Sequence, residues 1–397
     1  MTSGGGRSHW LGCRREATVQ PRSSTSVGVS GSRCLILGQK GNWRWRFRRG
    51  GALARAAPLA GVASRSVAVA VRRFTVPRLR LRATVAGVLT AAAAGVLLAA
   101  AVAAPAAADN AVVLNSDDNS LSVINGATYK ETARTHIGRA PHHLIVTPDG
   151  KTLILAMAGG DQLVFIDLAS GTLQRRVAAS DPYQIGFSPD GKWFVSNSLR
   201  LDRIDIYDGG DFHLVHRLPA PKMPSHIGFS PDSSTVYVTL QGTNSLTAID
   251  LASGKTLWTT KVGPQPAGVL VRRSGTILVG VMGSDHVAEV DPHDGSIVRT
   301  IHTDRGAHNF LLSPDGKTLY VSNRVAGTIS ALDADTLEVK ATITAPGGPD
   351  DIAVSPNGKE LWVTGRWRAS VDVIDRDSGA LRKRIPVGRS PHGIFLY

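Results

Sequence analysis

Residues 313–333 read SPDGKTLYVSNRVAGTISALD, and this stretch recurs with small changes along the second part of the chain. Its first four residues, Ser313-Pro314-Asp315-Gly316, are typical of a tight turn, because proline presets φ and glycine readily adopts a positive φ. Copies of the turn occur at Thr147-Pro148-Asp149-Gly150, Ser188-Pro189-Asp190-Gly191, Ser230-Pro231-Asp232-Ser233, Ser355-Pro356-Asn357-Gly358 and, in degraded form, Arg272-Arg273-Ser274-Gly275. Successive copies are 41 or 42 residues apart, which indicates an internal repeat.

Two further markers keep the same period. An aspartate or asparagine ends a strand-like run in each unit, at Asn125, Asp167, Asp208, Asp250, Asp291, Asp333 and Asp375. A proline, replaced once by alanine, opens each unit, at Pro141, Pro182, Pro224, Pro266, Ala307, Pro349 and Pro391. Each marker occurs seven times, so the chain contains seven related units.

Each unit is predicted to contain four short strands, named a to d in chain order. The unit that begins at residue 141 shows them as HHLIVT, TLILAMA, QLVFIDL and LQRRVAA, with turn residues between them. Seven such units predict an all-β fold, a seven-bladed β-propeller with four antiparallel strands per blade. Residues 111–137 supply only three strands and residues 393–397 only one. The C-terminal strand is therefore predicted to pair with the N-terminal blade and close the ring.

Strand b of several units carries a shared motif, as in Leu319-Tyr320-Val321-Ser322-Asn323 and Trp193-Phe194-Val195-Ser196-Asn197. With the Ser-Pro-Asp-Gly turn before it and Ile-Asp after it, this motif resembles the YVTN-repeat β-propeller family over residues 111–397. The resemblance implies the fold and says little about chemistry, because the motif consists of turn and packing residues. The chain is more distantly similar to haem d1-type and quinoprotein propellers.

The first 108 residues differ in composition from the repeats. Residues 1–70 predict a disordered extension, or a segment upstream of a true translation start near residues 67–71. Residues 71–108 follow the order of a secretory signal peptide, with a basic segment, an uncharged apolar segment and cleavage near Ala108. A membrane anchor and a twin-arginine signal at Arg72-Arg73 are alternatives. We expect a periplasmic or secreted protein with no stable membrane span after cleavage.

The formal net charge of +14 belongs to this leader. Residues 1–108 hold 17 of the 45 Lys and Arg but one of the 31 acidic residues, which leaves 28 basic and 30 acidic groups in residues 109–397. That balance gives no support to specific nucleic-acid binding. Cys13 and Cys34 also lie in the leader, so the repeats hold no disulfide, zinc–thiolate site or cysteine nucleophile.

Strand direction alternates within a blade, which brings the b–c loops and the d–a connections to one end of the central channel, here called the mouth. The candidate ligand-binding residues lie there: His142, His308, Asp350, His392, Arg139, Arg305, Arg324, Arg366 and Arg389. Arginine presents a fork of donors to carboxylate or phosphate. The three histidines are the candidate ligands if a metal binds. Alternatively, these polar side chains have no shared function and gather at a solvated loop rim.

No strong catalytic motif accompanies these residues, since GxSxG, HExxH and phosphate-loop patterns are absent from the sequence. We predict an exported, monomeric, non-catalytic protein that binds a small anionic ligand or a protein partner at the mouth, with no cofactor. The alternative is a periplasmic oxidoreductase component that binds a non-covalent haem or a transition metal there. A lactonase-type hydrolase with a channel metal is a third hypothesis.

Overall fold

The apolar runs predicted as strands form 28 β-strands in a computed structural model, which describes residues 110–397. The strands group into seven antiparallel four-stranded sheets. The predicted seven-bladed propeller is therefore confirmed. The predicted extension (1–70) and signal peptide (71–108) lie outside the described residues.

Blade 1 combines β28 (Pro391–Leu396) with β1 (Asn110–Asn115), β2 (Ser120–Asn125) and β3 (Lys130–His136). Blade 2 contains β4 (Pro141–Val146), β5 (Thr152–Met157), β6 (Gln162–Asp167) and β7 (Leu173–Ala178). Blade 3 contains β8 (Pro182–Phe187), β9 (Trp193–Ser198), β10 (Arg203–Asp208) and β11 (Leu214–Pro219). Blade 4 contains β12 (Pro224–Phe229), β13 (Thr235–Leu240), β14 (Ser245–Asp250) and β15 (Thr256–Lys261).

Blade 5 contains β16 (Pro266–Val271), β17 (Ile277–Val281), β18 (His286–Val290) and β19 (Ile297–His302). Blade 6 contains β20 (Ala307–Leu312), β21 (Thr318–Asn323), β22 (Thr328–Asp333) and β23 (Val339–Thr344). Blade 7 contains β24 (Pro349–Val354), β25 (Glu360–Gly365), β26 (Ser370–Asp375) and β27 (Leu381–Pro386). A short 3-10 turn follows β13 at Gln241–Thr243. Within residues 110–397 the structure contains no helix that could span a membrane.

The repeated Ser-Pro-Asp-Gly turn is held by its own side chains. In blade 3 the Ser188 hydroxyl donates to Asp190 Oδ1 over 2.6 Å and accepts from the Trp193 amide at 3.0 Å. Gly191 adopts a φ of +72°, a conformation that favours glycine. These bonds satisfy backbone groups that the tight turn takes out of the strand ladder, so the motif specifies the a–b turn of each blade.

The hydrophobic core lies between blades. Trp362 of blade 7 packs with Val113 and Ile394 of blade 1, and Leu278 of blade 5 packs with Leu319 of blade 6. A four-stranded sheet has two apolar faces and cannot cover either by itself, so each blade is buried by its two neighbours. Every blade therefore needs a neighbour on both sides, and only a closed ring provides this for all seven.

The last strand closes that ring. β28 pairs antiparallel with β1, with Leu396 opposite Ala111 and Ile394 opposite Val113. Backbone bonds of 2.8 and 2.9 Å join Asn110 and Tyr397 in both directions. Blade 1 therefore takes its innermost strand from the end of the chain, as predicted, and His392 enters the channel beside the blades that hold His142 and Asp350.

Candidate functional site

Each inner strand begins with a β-bulge at the mouth. In blade 6, Ala307 pairs with Asn323 and Phe310 with Val321, so two residues of β20 lie opposite one residue of β21. Register shifts occur at the corresponding place in the other six blades. A bulge re-aims the side chains that it contains. Here the bulged residues are the ones that follow each marker proline, and they form the site.

The hydroxyl of the strand b motif holds the bulge in place. Ser322 Oγ accepts from the Asn309 amide at 3.1 Å and donates to the Asp350 carbonyl of the next blade at 3.1 Å. Thr364 Oγ1 likewise accepts from the Asp351 amide at 2.9 Å and donates to the His392 carbonyl at 3.0 Å. One hydroxyl therefore gives the bulge amide of its own blade a hydrogen-bond acceptor and also fixes the position of the bulge in the next blade.

A buried carboxylate stands at the centre of the mouth. Asp350 is fully buried, and Arg324 Nη2 donates to its Oδ1 while Arg366 Nη1 donates to its Oδ2 over 2.9 Å. The Nδ1 atom of His308 lies 3.2 Å from Oδ1, and the Nε2 atom of His392 lies 3.4 Å from Oδ2. We call Asp350, Arg324, Arg366, His142, His308 and His392 the central cluster.

Electrostatics fix the charge of Asp350. Burial alone would raise the pKa of this carboxyl, but the permanent charges of Arg324 and Arg366 beside it hold the pKa well below its usual value. The two histidines are themselves kept neutral at neutral pH, because burial lowers the pKa of each well below 6.5. The arginines therefore supply the compensating positive charge.

The aromatic rings at the mouth lie close together in tilted and edge-to-face arrangements. The ring of His142 lies 3.8 Å, centroid to centroid, from Tyr183 on one side and from His392 on the other. His142 Nδ1 lies 3.0 Å from the Tyr183 carbonyl, so this nitrogen carries the proton and donates it to the oxygen. Nε2 of His142 and both ring nitrogens of His392 are buried and make no hydrogen bond within residues 110–397. They are free acceptor or donor positions of the site, and Nδ1 of His308 and Nδ1 of His143 share this state within residues 110–397.

A second polar layer lies behind the first. Asp351 accepts from Asn309 Nδ2 at 3.0 Å and from the Ile394 amide at 3.4 Å, which ties blades 6, 7 and 1 together. Burial and the neighbouring charge of Asp350 raise the pKa of Asp351 to about 7. Gln184 makes the equivalent link between blades 3 and 4, where its Oε1 accepts from the Ile227 amide at 2.9 Å.

The charges of the central cluster do not cancel. Arg324 and Arg366 contribute two positive charges and Asp350 contributes one negative charge, and Asp351 behind them, whose pKa is raised to about 7, carries only part of a negative charge at neutral pH. The side chains of Arg324 and Arg366 are 14% and 25% exposed, whereas the imidazoles of His142, His308 and His392 beneath them are buried. The central cluster therefore has an excess of positive charge, carried by two guanidinium groups that are partly accessible to solvent.

Six of the nine predicted site residues lie in the central cluster and three do not. Arg139 and Arg305 are exposed at the rim of the mouth. Arg389 is also exposed, and its Nε pairs with Asp118 Oδ1 at 2.5 Å. These three precede the marker proline in the chain and so lie outside the bulge, whereas Arg324 and Arg366 follow strand b and reach over the channel.

Four residues around the cluster were not among the predicted site residues: Tyr183, His226, His143 and Asp351. His226 lies 5.0 Å from His308, centroid to centroid, and its Nδ1 is 2.7 Å from Ser225 Oγ. Burial lowers the pKa of His226 to about 3 and that of His143 to about 4. All four follow a marker proline by one or two positions. The same spacing that identified His142 could have found them.

A compact three-ligand metal geometry occurs elsewhere in the described residues, at Asp208, Asp211 and His213 on an exposed turn. Their ligand atoms lie within 4.8 Å of one another, but His213 Nδ1 is already 2.6 Å from Asp211 Oδ1. The ligand atoms of His142, His308 and His392 do not converge to that degree. A metal bound by these three histidines together would require them to move.

Comparison with known proteins agrees with the fold. A family model described as YNCE-like beta-propeller matches residues 52–397. Among curated proteins, Antigen Lp49 of Leptospira interrogans is 26% identical over 200 residues, which is 44% of this chain and 43% of that protein. Protein NirF of Pseudomonas aeruginosa is 22% identical over 214 residues, 49% of this chain and 53% of that protein. The chain thus spans about half the length of these relatives.

Several solved structures share the architecture. A functionally unknown protein from Desulfotomaculum acetoxidans superposes with a TM-score of 0.64 at 14% identity, covering 72% of this chain and 98% of that one. The dihydro-heme d1 dehydrogenase NirN in complex with DHE gives 0.55 at 17%, covering 73% and 75%. A putative 6-phosphogluconolactonase from Bacteroides fragilis gives 0.60 at 21%, covering 73% and 98%. At these identities the likeness shows the fold alone.

Proposed function

The chain belongs to the YNCE-like beta-propeller family, and we propose that it is an exported, non-catalytic binding protein whose mouth binds a small organic anion between Arg324 and Arg366. The observation that carries this proposal is the imbalance of charge within the central cluster. Two guanidinium groups pair with one buried carboxylate, and their side chains are 14% and 25% exposed to solvent. A ligand carboxylate or phosphate would complete the neutralisation with charge-assisted hydrogen bonds.

The site is preorganised for this role. Asp350 holds both guanidinium groups in place through Arg324 and Arg366 contacts to its two oxygens. Arg324 Nη2 also donates to Nε2 of His308 over 2.6 Å, which further restricts its side chain. Binding then costs little side-chain entropy, because the donors are already ordered.

Calorimetric titration of the purified protein with succinate, acetate and inorganic phosphate tests the proposal. We expect at least one of these anions to bind, and Arg366→Gln to weaken it about tenfold or more, since one charge-assisted pair is lost. Arg139→Gln is the matched control, because Arg139 is an exposed arginine at the same mouth but outside the cluster. Equal affinity in Arg366→Gln and the unaltered protein, or no binding of any anion, would count against the proposal.

A second candidate function is binding of a non-covalent haem-like tetrapyrrole. The unsatisfied ring nitrogens of His142 and His392 favour it, because a neutral imidazole nitrogen is chemically suited to bind a haem iron. The structural likeness to NirN in complex with DHE adds support from fold alone. His142 or His392 would hold the group and Arg366 would face its carboxylates, while the bound iron would supply redox chemistry. Arg324 and Arg366 would have to swing aside, because they cover the imidazoles.

Absorbance spectroscopy separates the two candidates. If the protein binds a haem-like tetrapyrrole, added haemin is expected to give a shifted Soret band with the unaltered protein. The exposed-histidine control His213→Ala should give the same band. Loss of that band in His142→Ala or His392→Ala would identify the axial residue. A spectrum identical to that of free haemin would leave the anion site as the function.

Export is part of the proposal and rests on the leader. Its basic segment and uncharged stretch before Ala108 are the features of a signal peptide. We expect mass spectrometry of the exported protein to give an N-terminus at Asp109, and deletion of residues 83–108 to retain the protein in the cytoplasm. A full-length chain recovered with the membrane would instead favour an uncleaved anchor.

A further inference from the structure

Trp367 is the most exposed large apolar side chain of residues 110–397, with 63% of its surface accessible to solvent. It lies on the b–c loop of blade 7, directly after Arg366 of the central cluster. Exposed apolar residues are common on protein surfaces, but an indole that buries so little of its area contributes little to the hydrophobic core. Its presence at the mouth therefore needs a reason other than core packing.

The b–c loop of a blade lies close against the d–a connection that leads into the same blade, and a glycine makes room for this contact. In blades 2, 4 and 5 the glycine is the second loop residue, and a Cβ at Gly159, Gly242 or Gly283 would lie 3.0, 2.6 or 2.7 Å from the connection. Blade 7 is built the other way round. Its connection carries Gly348, where a Cβ would lie 2.6 Å from the ring of Trp367. Because glycine serves at this loop position in three other blades, the contact itself does not require an indole.

The indole is ordered by the backbone beneath it. The Trp367 amide donates to the Gly347 carbonyl at 2.8 Å, and the Arg366 amide donates to the Gly348 carbonyl at 3.0 Å. The atoms of Trp367 nearest to Gly348 are the fused carbons Cδ2 and Cε2 and the adjacent Cε3, so one face of the ring covers this glycine. The opposite face is open to solvent. A fixed aromatic face of this kind is suited to stack with another ring.

This open face lies beside the proposed anion site. Gly348 precedes Asp350 by two residues, and consecutive Cα atoms are about 3.8 Å apart, so the ring lies over a point within about 8 Å of the Asp350 backbone. Arg366, the neighbour of Trp367 in the chain, reaches toward the channel and donates from Nη1 to Asp350 Oδ2 over 2.9 Å. Its side chain is 25% exposed. A guanidinium and an aromatic face are thus both accessible on one short loop.

The charges next to Trp367 favour an anionic ligand. Arg366 and Arg368 flank it in the chain, and residues 345–348 of the connection below it read Ala-Pro-Gly-Gly and carry no charge. A tryptophan face can also attract a cation, but here the two arginines would repel one. A neutral ring would leave the excess positive charge of the central cluster without a partner.

We propose that the mouth binds an aromatic carboxylate, with the carboxylate at Arg366 and the ring stacked on the open face of Trp367. The inference rests on the proposed anion site and names the group that the anion carries. Stacked aromatic pairs gain free energy beyond the apolar area that they bury. Such a ligand should therefore bind more tightly than a carboxylate without a ring.

Calorimetric titrations with phenylacetate, acetate and phenylacetamide test this assignment. Phenylacetate is expected to bind about tenfold more tightly than acetate, because its ring stacks on Trp367. Phenylacetamide, which lacks the charge, should bind about tenfold more weakly than phenylacetate. Trp367→Ala should reduce the affinity for phenylacetate to that for acetate and leave acetate unchanged, whereas Trp367→Phe should retain most of the preference. Leu201→Ala is the matched control, because Leu201 is 51% exposed on the b–c loop of blade 3 at the same mouth.

Tryptophan fluorescence gives a second measurement. Acrylamide quenching should decrease when phenylacetate covers the exposed indole and should not change when acetate is added. Trp367→Phe should lose this protection while it still binds phenylacetate. Protection that persists in Trp367→Phe would show that the ring binds elsewhere and would overturn the assignment. Circular dichroism checks that each variant is folded.

The outcomes separate this inference from the proposed function. If phenylacetate binds no more tightly than acetate and Arg366→Gln weakens both, the aromatic assignment is wrong and the anion site stands. If phenylacetate binding depends on Trp367 but is unchanged in Arg366→Gln, the carboxylate does not lie at Arg366 and both assignments are wrong. If phenylacetamide binds as tightly as phenylacetate, Trp367 selects neutral rings and the carboxylate assignment is overturned.

Discussion

At the scale of single residues, Asp350 organises the mouth. Its two oxygens hold Arg324 and Arg366, and its charge faces His308 and His392 from two adjacent blades. A buried charge of this kind contributes little net stability when its partners are present, but removal of one partner leaves the others uncompensated in a low-dielectric site. The arrangement is therefore a positioning device rather than a source of stability.

Asp350→Asn is expected to lower the free energy of unfolding by about 3–5 kcal/mol, because two largely buried guanidinium groups lose their counter-charge. Urea denaturation measures the change. Asp118→Asn is the matched control, since Asp118 pairs with the exposed Arg389 and that pair is screened by solvent. A comparable loss in both variants would mean that the central ion pairs behave like surface ones.

Stability should fall as pH decreases from about 6.5 to about 4. Burial lowers the pKa of five histidines in the folded protein, among them His143 to about 4 and His226 to about 3. In this window the unfolded chain binds protons that the folded chain does not, so acid favours unfolding. Asp351 opposes this trend, because its folded pKa of about 7 exceeds the ordinary 3.8. The five histidines together outweigh Asp351, so the net effect of acid is a loss of stability.

Urea denaturation at a series of pH values measures this slope. Asp351→Asn removes the opposing group and should make the loss of stability toward acid steeper. Thr132→Val, on the exposed outer strand β3, changes no titratable group and should leave the slope unchanged. Stability that stays flat between these pH values would show that the channel imidazoles are protonated in the folded state.

At the scale of the element, the strand b motif and the bulge act as one unit. The Ser or Thr of the motif bonds to the bulged amide of its own blade and to a carbonyl of the next, at Thr239, Ser322 and Thr364. The motif was interpreted as turn and packing residues, and for the aromatic position this interpretation agrees with the burial of Tyr320 and Trp362. The hydroxyl position does more, because it places the site residues.

Thr364→Val is expected to cost about 1–3 kcal/mol of stability, because the buried Asp351 amide would be left without a hydrogen bond. The same change should also weaken anion binding, since it releases the bulge that holds Asp350. Thr132→Val on the exposed outer strand β3 is the matched control. Thermal unfolding and calorimetry give the two measurements. If Thr364→Val lowers the stability but leaves anion binding unchanged, the bulge does not position the anion-binding residues.

At the scale of the whole molecule, the ring depends on its last strand. Deletion of residues 391–397 removes β28, exposes the edge of β1 and takes His392 out of the channel. We expect the deletion to abolish cooperative thermal unfolding or to lower the midpoint far more than the control Tyr397→Ala, which alters one partly exposed side chain. Equal midpoints would show that blade 1 is stable with three strands.

The blade number, the strand order and the closing strand all follow from a local, repeated signal. A period of 41 or 42 residues with turn and strand residues at fixed offsets is readable in each unit on its own. The spacing also identified His142, His308, Asp350 and His392 as neighbours, because equivalent positions of a closed ring must meet at its axis. The resemblance to the YVTN-repeat family pointed to the same fold.

Other features required the packed ring. The bulges aim Asp350 and the imidazoles inward, and the neighbouring blades bury them beneath Arg324 and Arg366, while Arg139, Arg305 and Arg389 stay at the rim. Side-chain direction, burial and charge depend on atoms from several blades at once, and those atoms lie far apart in the chain, by 26 residues for Arg324 and Asp350 and by 41 for His142 and Tyr183. A local pattern can therefore specify the blades, but only their assembly creates the central cluster and its excess of positive charge.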